Sequence, residues 1–154
     1  MIRPIFGTSP MPMPEAGPDL HVSASTAGLR EASGALDAFS ARAGLPATVA
    51  WRLHVALDEI LSNIVRHGAA SGIDIAFKIE GRAASIVVSD DGPPFDPLSR
   101  PAADVRQALE SRSPGGLGVS LVRGLMDDVT YARTDRNILT LRTRIAPDRA
   151  PQRP

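Results

Sequence analysis

Three short stretches of this 154-residue chain combine residue types at spacings that suit chemistry. The first is Glu59 and Asn63. Four residues apart on a helix, a carboxylate and an amide stand one above the other, with His67 one turn further along and Asp58 on the opposite flank. The second is Ser89-Asp90-Asp91-Gly92-Pro93-Pro94-Phe95, which follows the apolar run Ile86-Val87-Val88. A carboxylate at a strand end can accept a hydrogen bond from an amino group, such as the exocyclic N6 of adenine, and Gly92 lets a flat ring approach the backbone. The third is Pro114-Gly115-Gly116-Leu117-Gly118, which opens directly into Val119-Ser120-Leu121-Val122-Arg123. Several unhindered N–H groups then stand at a helix start, where anions bind. This is not the dinucleotide fingerprint, because GxGxxG would need a glycine at Leu121 and a strand before it. Each stretch also has a plainer reading: the polar edge of an amphipathic helix, an Asp-Gly turn, and a flexible loop ending at a helix.

Positioning these stretches requires a framework. Leu20 to Ala24 is a short strand, followed by Ser25 and Thr26, either of which can cap a helix with apolar positions at Leu29, Ala32, Leu36 and Phe39. Gly44 and Pro46 close it. A second helix runs from Pro46 to Gly68, a natural stop, and buries Leu53, Leu57, Ile60, Leu61 and Ile64 as one stripe. The pattern then changes to period two. Ile73, Ile75, Phe77 and Ile79 alternate, Gly81 and Arg82 turn, and Ala84, Ile86 and Val88 return as a hairpin. Asp91 to Gly116 is rich in proline and glycine, with one amphipathic stretch at Asp104 to Leu109, and has the length of a lid over Pro97 to Gly115. Gly118 to Met126 is a third helix, and Val129 to Ala132 and Ile138 to Ile145 are strands around a turn at Asp135 to Asn137. The order β-α-α-β-β-lid-α-β-β predicts an α+β fold with helices on one face of a mostly antiparallel sheet.

Composition removes several classes. Length fits one domain over about residues 20–146, with proline-rich tails at Met1 to Pro18 and Pro147 to Pro154. Seventeen basic residues balance seventeen acidic ones, so no basic field exists to hold nucleic acid or an anionic membrane. No cysteine is present, which excludes disulfides, thiolate metal sites and cysteine nucleophiles. Lys78 is the lone lysine and lies outside any GxxxxGK[ST] loop. His21, His54 and His67 show no zinc-ligand spacing. Apolar runs are too short for a membrane helix and the first residues do not form a signal peptide, so a cytoplasmic location is expected.

Taken together and in order, ExxxN at Glu59 and Asn63, DxGxxF at Asp90, Gly92 and Phe95, and GGLG at Gly115 to Gly118 resemble the N, G1 and G2 boxes of the GHKL (Bergerat-fold, histidine-kinase-like) ATPases. The nearer likeness is to the RsbW-like anti-sigma factors that are also serine-protein kinases, over about residues 20–145. The resemblance implies a two-layer α/β sandwich, a sheet of about five strands, three main helices on one face and a short ATP lid. It implies ATP and Mg²⁺ as cofactors, with Asn63 as metal ligand and Glu59 activating the attacking hydroxyl. Asp90 would bind the adenine amino group, Gly92 would make room for the base, and Gly115, Gly116 and Gly118 would contact the phosphates. Expected partners are a sigma factor and a STAS-type anti-anti-sigma protein carrying the acceptor serine, within a homodimer. Arg30 and His67 also match common positions of that branch, and Arg100, Arg106 and Arg112 lie in the lid.

Two departures stand out. Pro94 occupies a position where the superfamily often has glycine, and Arg136-Asn137, with Thr140 further on, replaces the Gly-Thr or Gly-Asn expected before the last strand. The competing reading is a module of the same fold that holds ATP or a partner without catalysis. The catalytic domain of a sensor histidine kinase is disfavoured, because no phosphoacceptor helix pair accompanies it.

Overall fold

Ser25 begins the first helix, α1 (Thr26–Ala43): its backbone is extended, with φ −149° and ψ 168°, and its hydroxyl accepts the Gly28 N–H at 3.1 Å. The buried positions Gly28, Ala32, Leu36 and Ser40 recur every fourth residue, so one narrow stripe faces the core. Gly44, at φ 62°, ends the helix in the left-handed conformation. Pro46 leads into α2 (Ala47–His67), which buries Val49, Leu53, Ala56, Leu57, Ile60 and Leu61. In this computed structural model, residues 19–99 and 116–146 are described. Both tails, the amphipathic stretch at Asp104 to Leu109, and Gly115, Arg100, Arg106 and Arg112 lie outside the described residues.

Gly68 ends α2, but not as a left-handed cap. Its φ is −80°, and the positive φ falls on the next residue, Ala69, at 47°. Glycine is needed at 68 for space, since a Cβ there would stand 2.7 Å from the Ile64 carbonyl oxygen.

The strands are β1 (Leu20–Ser23), β2 (Gly72–Glu80), β3 (Ala83–Asp90), β4 (Asp128–Arg133) and β5 (Asn137–Arg144), and the third helix, α3, spans Gly116–Leu125. They form one open sheet in the order β1-β2-β3-β5-β4, antiparallel throughout. Alternate strand residues, Val22, Ile73, Ile75, Ile86, Val88, Leu139 and Leu141, share a core with Leu36, Leu53, Leu57, Leu61 and Val122 from the helices. The helices therefore cover one face, and the fold is the α+β architecture expected. Ile79 departs from the alternating pattern, being 43% exposed beyond the part of β2 that β1 pairs with.

On the opposite face small residues line the centre. Ser85, Val87 and Ser89 are each 2% exposed, and the register sets Lys78 and Arg142 on either side of Ser85. Long basic stems shield that face in place of a second helical layer, with both heads near the Glu80 carboxylate. Every residue of β3 is consequently buried, and β3 ends at Asp90. No helix among the described residues is long and apolar enough to cross a membrane.

Candidate functional site

Antiparallel register decides what surrounds Asp90. It pairs with Ile73 on β2 and with Asn137, the first residue of β5. The two polar side chains sit at the end of the sheet, beside the C-terminal half of α2. Between these side chains and α2 lies a cleft. Asn63, Ile64 and Gly68 form its α2 wall, Val88 and Leu139 its floor, and Phe95 and Pro97 its rim. Aliphatic walls with a few convergent polar groups suit a flat, partly apolar ligand.

Asp90 is 6% exposed, and its Oδ1 accepts from Gly92 N at 2.9 Å and from Asn137 Nδ2 at 3.1 Å. Asn137 Oδ1 in turn accepts from Phe95 N at 3.1 Å and from the Tyr131 hydroxyl at 2.6 Å, while its Nδ2 also donates to Pro93 O at 2.9 Å. Two arginines, one ending β4 and one in the β4–β5 turn, complete the clamp. Arg133 donates to Gly92 O at 2.9 Å, and Arg136 donates to the Ser89 hydroxyl at 2.8 Å and carbonyl at 3.2 Å. Gly92 has no room for a side chain, because a Cβ would collide with the Gly68 carbonyl oxygen.

The neighbouring Asp91 faces elsewhere. Its carboxylate accepts from Ser71 N at 2.8 Å, from the Ser71 hydroxyl and from Gly72 N at 3.2 Å, tying the α2–β2 loop to the end of β3. These donors, the Ser71 hydroxyl foremost, hold its pKa at about 2, against an ordinary 3.8. A depressed folded pKa stabilises the fold above the unfolded value, and that contribution disappears as pH falls through the folded one. Thermal melts of wild type and Asp91→Ala should thus differ at neutral pH, the wild type being higher, and should converge as pH falls from about 4 to about 2. A difference independent of pH over that range would show that the carboxylate charge is not what ties the loop.

Glu59 and Asn63 lie one turn apart on α2, both partly buried, and neither side chain is hydrogen-bonded to another described residue. Asn63 lines the cleft; Glu59 lies beyond it and packs on α3. A Cβ at Gly118 would strike Glu59 Oε2 and stand 3.3 Å from Cδ, so the glycine lets the first turn of α3 rest on the carboxylate. α3 begins at Gly116, two residues before the start that the apolar pattern predicts, which makes Gly116 and Gly118 members of its first turn. First-turn N–H groups have no partner within a helix. The fold thus brings Asn63 and Asp90 to one cleft and places Glu59 with Gly118 at its side, while Gly92 packs against Gly68 and Ala70 and does not line the cleft. Asp58, His67 and Arg30 are exposed.

Thr140 is not part of this site. It pairs with Val87, on the opposite face of the sheet from Asp90 and Val88. Asn137 holds the position instead. Tyr131, the chain's only tyrosine, and Arg133 were not singled out by sequence, because only the pairing of β4 with β5 turns them toward the Asp90 loop.

Residues 22–143 match the family described as the histidine kinase-like ATPase domain. The chain is similar to the serine/threonine-protein kinase BtrW of Bordetella bronchiseptica, at 31% identity over 135 residues covering 84% of this chain and 94% of that protein. It is also similar to the serine-protein kinase RsbW of Listeria monocytogenes, at 33% identity over 102 residues, 61% of this chain and 65% of that one. Among solved structures, the RsbU and RsbW domains of a Mycobacterium tuberculosis protein superpose with a TM-score of 0.55 at 19% identity, over 82% of this chain and 32% of that longer one.

Proposed function

The chain belongs to the histidine kinase-like ATPase family, in its RsbW-like branch, an ATP-binding regulator of kinase type; from that premise we propose that it is an anti-sigma factor that phosphorylates a serine of a STAS-type anti-anti-sigma protein. The observation that carries the kinase reading is the contact between the Glu59 carboxylate and Gly118 in the first turn of α3, one turn along α2 from Asn63. In this reading Glu59 is the base, next to a helix start whose N–H groups can hold phosphate oxygens. A pure binder has no use for a carboxylate at an anion site, where it repels the ligand.

The donor set fits Mg-ATP. Asp90 keeps one carboxylate oxygen open for an amino group, and the walls at Ile64, Val88 and Leu139 accept a flat ring. The described residues contain no group of three His, Cys, Asp or Glu side chains able to hold a metal. Asn63 would therefore supply one oxygen to a Mg²⁺ whose other ligands are phosphate and water oxygens. ATP with its metal supplies an electrophilic γ-phosphorus and a stable leaving group. The protein orients the two and accepts the serine proton on Glu59 as the serine Oγ–P bond forms and the bond to ADP breaks.

Transfer from γ-labelled ATP to purified STAS-type proteins tests the proposal. Label is expected on one serine of a cognate partner and should vanish when EDTA removes Mg²⁺. Calorimetry run beside it should show ATP binding that depends on the metal. Binding without transfer to any partner that associates with the chain would leave a non-catalytic nucleotide module.

A further inference from the structure

Arg123 reaches from the last turn of α3 to the far side of the cleft rim. The side chain is partly buried, and its Nη2 donates to the Leu98 carbonyl oxygen at 2.7 Å, the one hydrogen bond it makes to a described residue. No carboxylate among the described residues pairs with it. A charged donor on a carbonyl is stronger than its neutral counterpart. Leu98 itself belongs to a tight turn: Asp96 Oδ1 accepts the Leu98 N–H at 2.8 Å, and the Asp96 carbonyl accepts the Ser99 hydroxyl at 2.8 Å and the Ser99 N–H at 3.3 Å. The Leu98 side chain packs against the core. Pro97, which lines the cleft, is therefore held from both sides, by Asn137 through the Phe95 N–H and by α3 through Leu98.

The same helix carries the other half of the site. Gly116 stands seven residues before Arg123, two turns and about 10 Å of rise away, and so lies on the same face of α3, while Gly118 rests on Glu59. We propose that Arg123 is a positioning residue that yokes the cleft rim to α3, so that a nucleotide reaching from Pro97 to the helix start is gripped by both at a fixed spacing. The inference rests on the nucleotide reading of the cleft given above. Its consequence is residence time. Without the yoke the rim can swing off a bound ligand, which speeds dissociation and leaves encounter unaltered.

Two measurements on the full chain test it. Hydrogen exchange without nucleotide should be faster across residues 95–99 in Arg123→Met than in wild type, while β3 keeps its protection. Stopped-flow release of Mg-ATP should be about five- to tenfold faster in the same variant, with the association rate within about twofold. Arg123→Lys keeps a charged donor on a long stem and should recover most of both effects, which it would not do if the loss came from helix packing. Unchanged exchange at residues 95–99, unchanged release from a variant that binds Mg-ATP, or a lysine variant as fast as Arg123→Met overturns the role of Arg123 and leaves the nucleotide site standing. If calorimetry detects no Mg-ATP binding to wild type, the nucleotide reading falls and this inference with it. Should Arg123→Met not melt cooperatively, Arg123→Gln, which keeps a polar head without the charge or the reach, replaces it in both measurements.

Discussion

Glu59→Gln is expected to slow phosphoryl transfer to a cognate partner by about 10² to 10⁴ while leaving ATP affinity within a few fold. A serine hydroxyl is a weak nucleophile at neutral pH, and the amide of glutamine has the shape of the carboxylate without its basicity. The loss belongs to the transition state, so it should appear in kcat. Asp58→Asn is the matched control: that carboxylate is exposed on the flank of α2 away from Asn63, and its removal should leave transfer intact. Gly118→Ala approaches the same group from the other side, because the new methyl must displace the Glu59 carboxylate, the movable end of a flexible side chain. It should reduce transfer in a protein that still folds. Equal losses in Glu59→Gln and Asp58→Asn, or full activity in the former, would take Glu59 out of the reaction.

Asp90→Asn should weaken ATP binding by about 1 to 3 kcal/mol, roughly 5- to 150-fold. The surroundings dictate how the new amide sits. Gly92 N and Asn137 Nδ2 both donate to the Oδ1 position, so the amide oxygen must occupy it and the NH₂ must take the place of Oδ2. A donor then meets a donor at the ligand's amino group. The fold should tolerate the exchange, since each internal hydrogen bond keeps its acceptor. Equal ATP affinity in wild type and variant, measured by calorimetry, would remove Asp90 from the base site.

Local chemistry made much of the fold legible. Ser25 and Gly44 bound α1, Pro46 opens α2, and the period-two alternation from Ile73 to Val88 forms the β2–β3 hairpin, because caps, turns and periodicity act over a few residues. The placement of Asn63 beside Asp90 also followed from motif order. Properties set by distant pairing did not. Asn137 read as the end of a turn, yet it is the first residue of β5 and the partner of Asp90, and the face on which Thr140 lies is fixed only by the register of β5 against β3. A one-residue change of register would exchange the two faces. The left-handed residue after α2 was equally hidden, since Gly68 is needed to clear the Ile64 carbonyl and the unusual φ passes to Ala69.

The burial of β3 along its whole length divides the site by stiffness. Asp90 ends the central strand, which is shielded on both faces and paired on both edges, so this end of the cleft belongs to the stiffer part of the fold. The other end rests on the first turn of α3, where Gly116 and Gly118 hold the helix less firmly than alanine would. Fraying there needs only a small local free energy. On the proposed nucleotide reading, exchange would begin by melting that helical turn, while the strand end at Asp90 stays fixed.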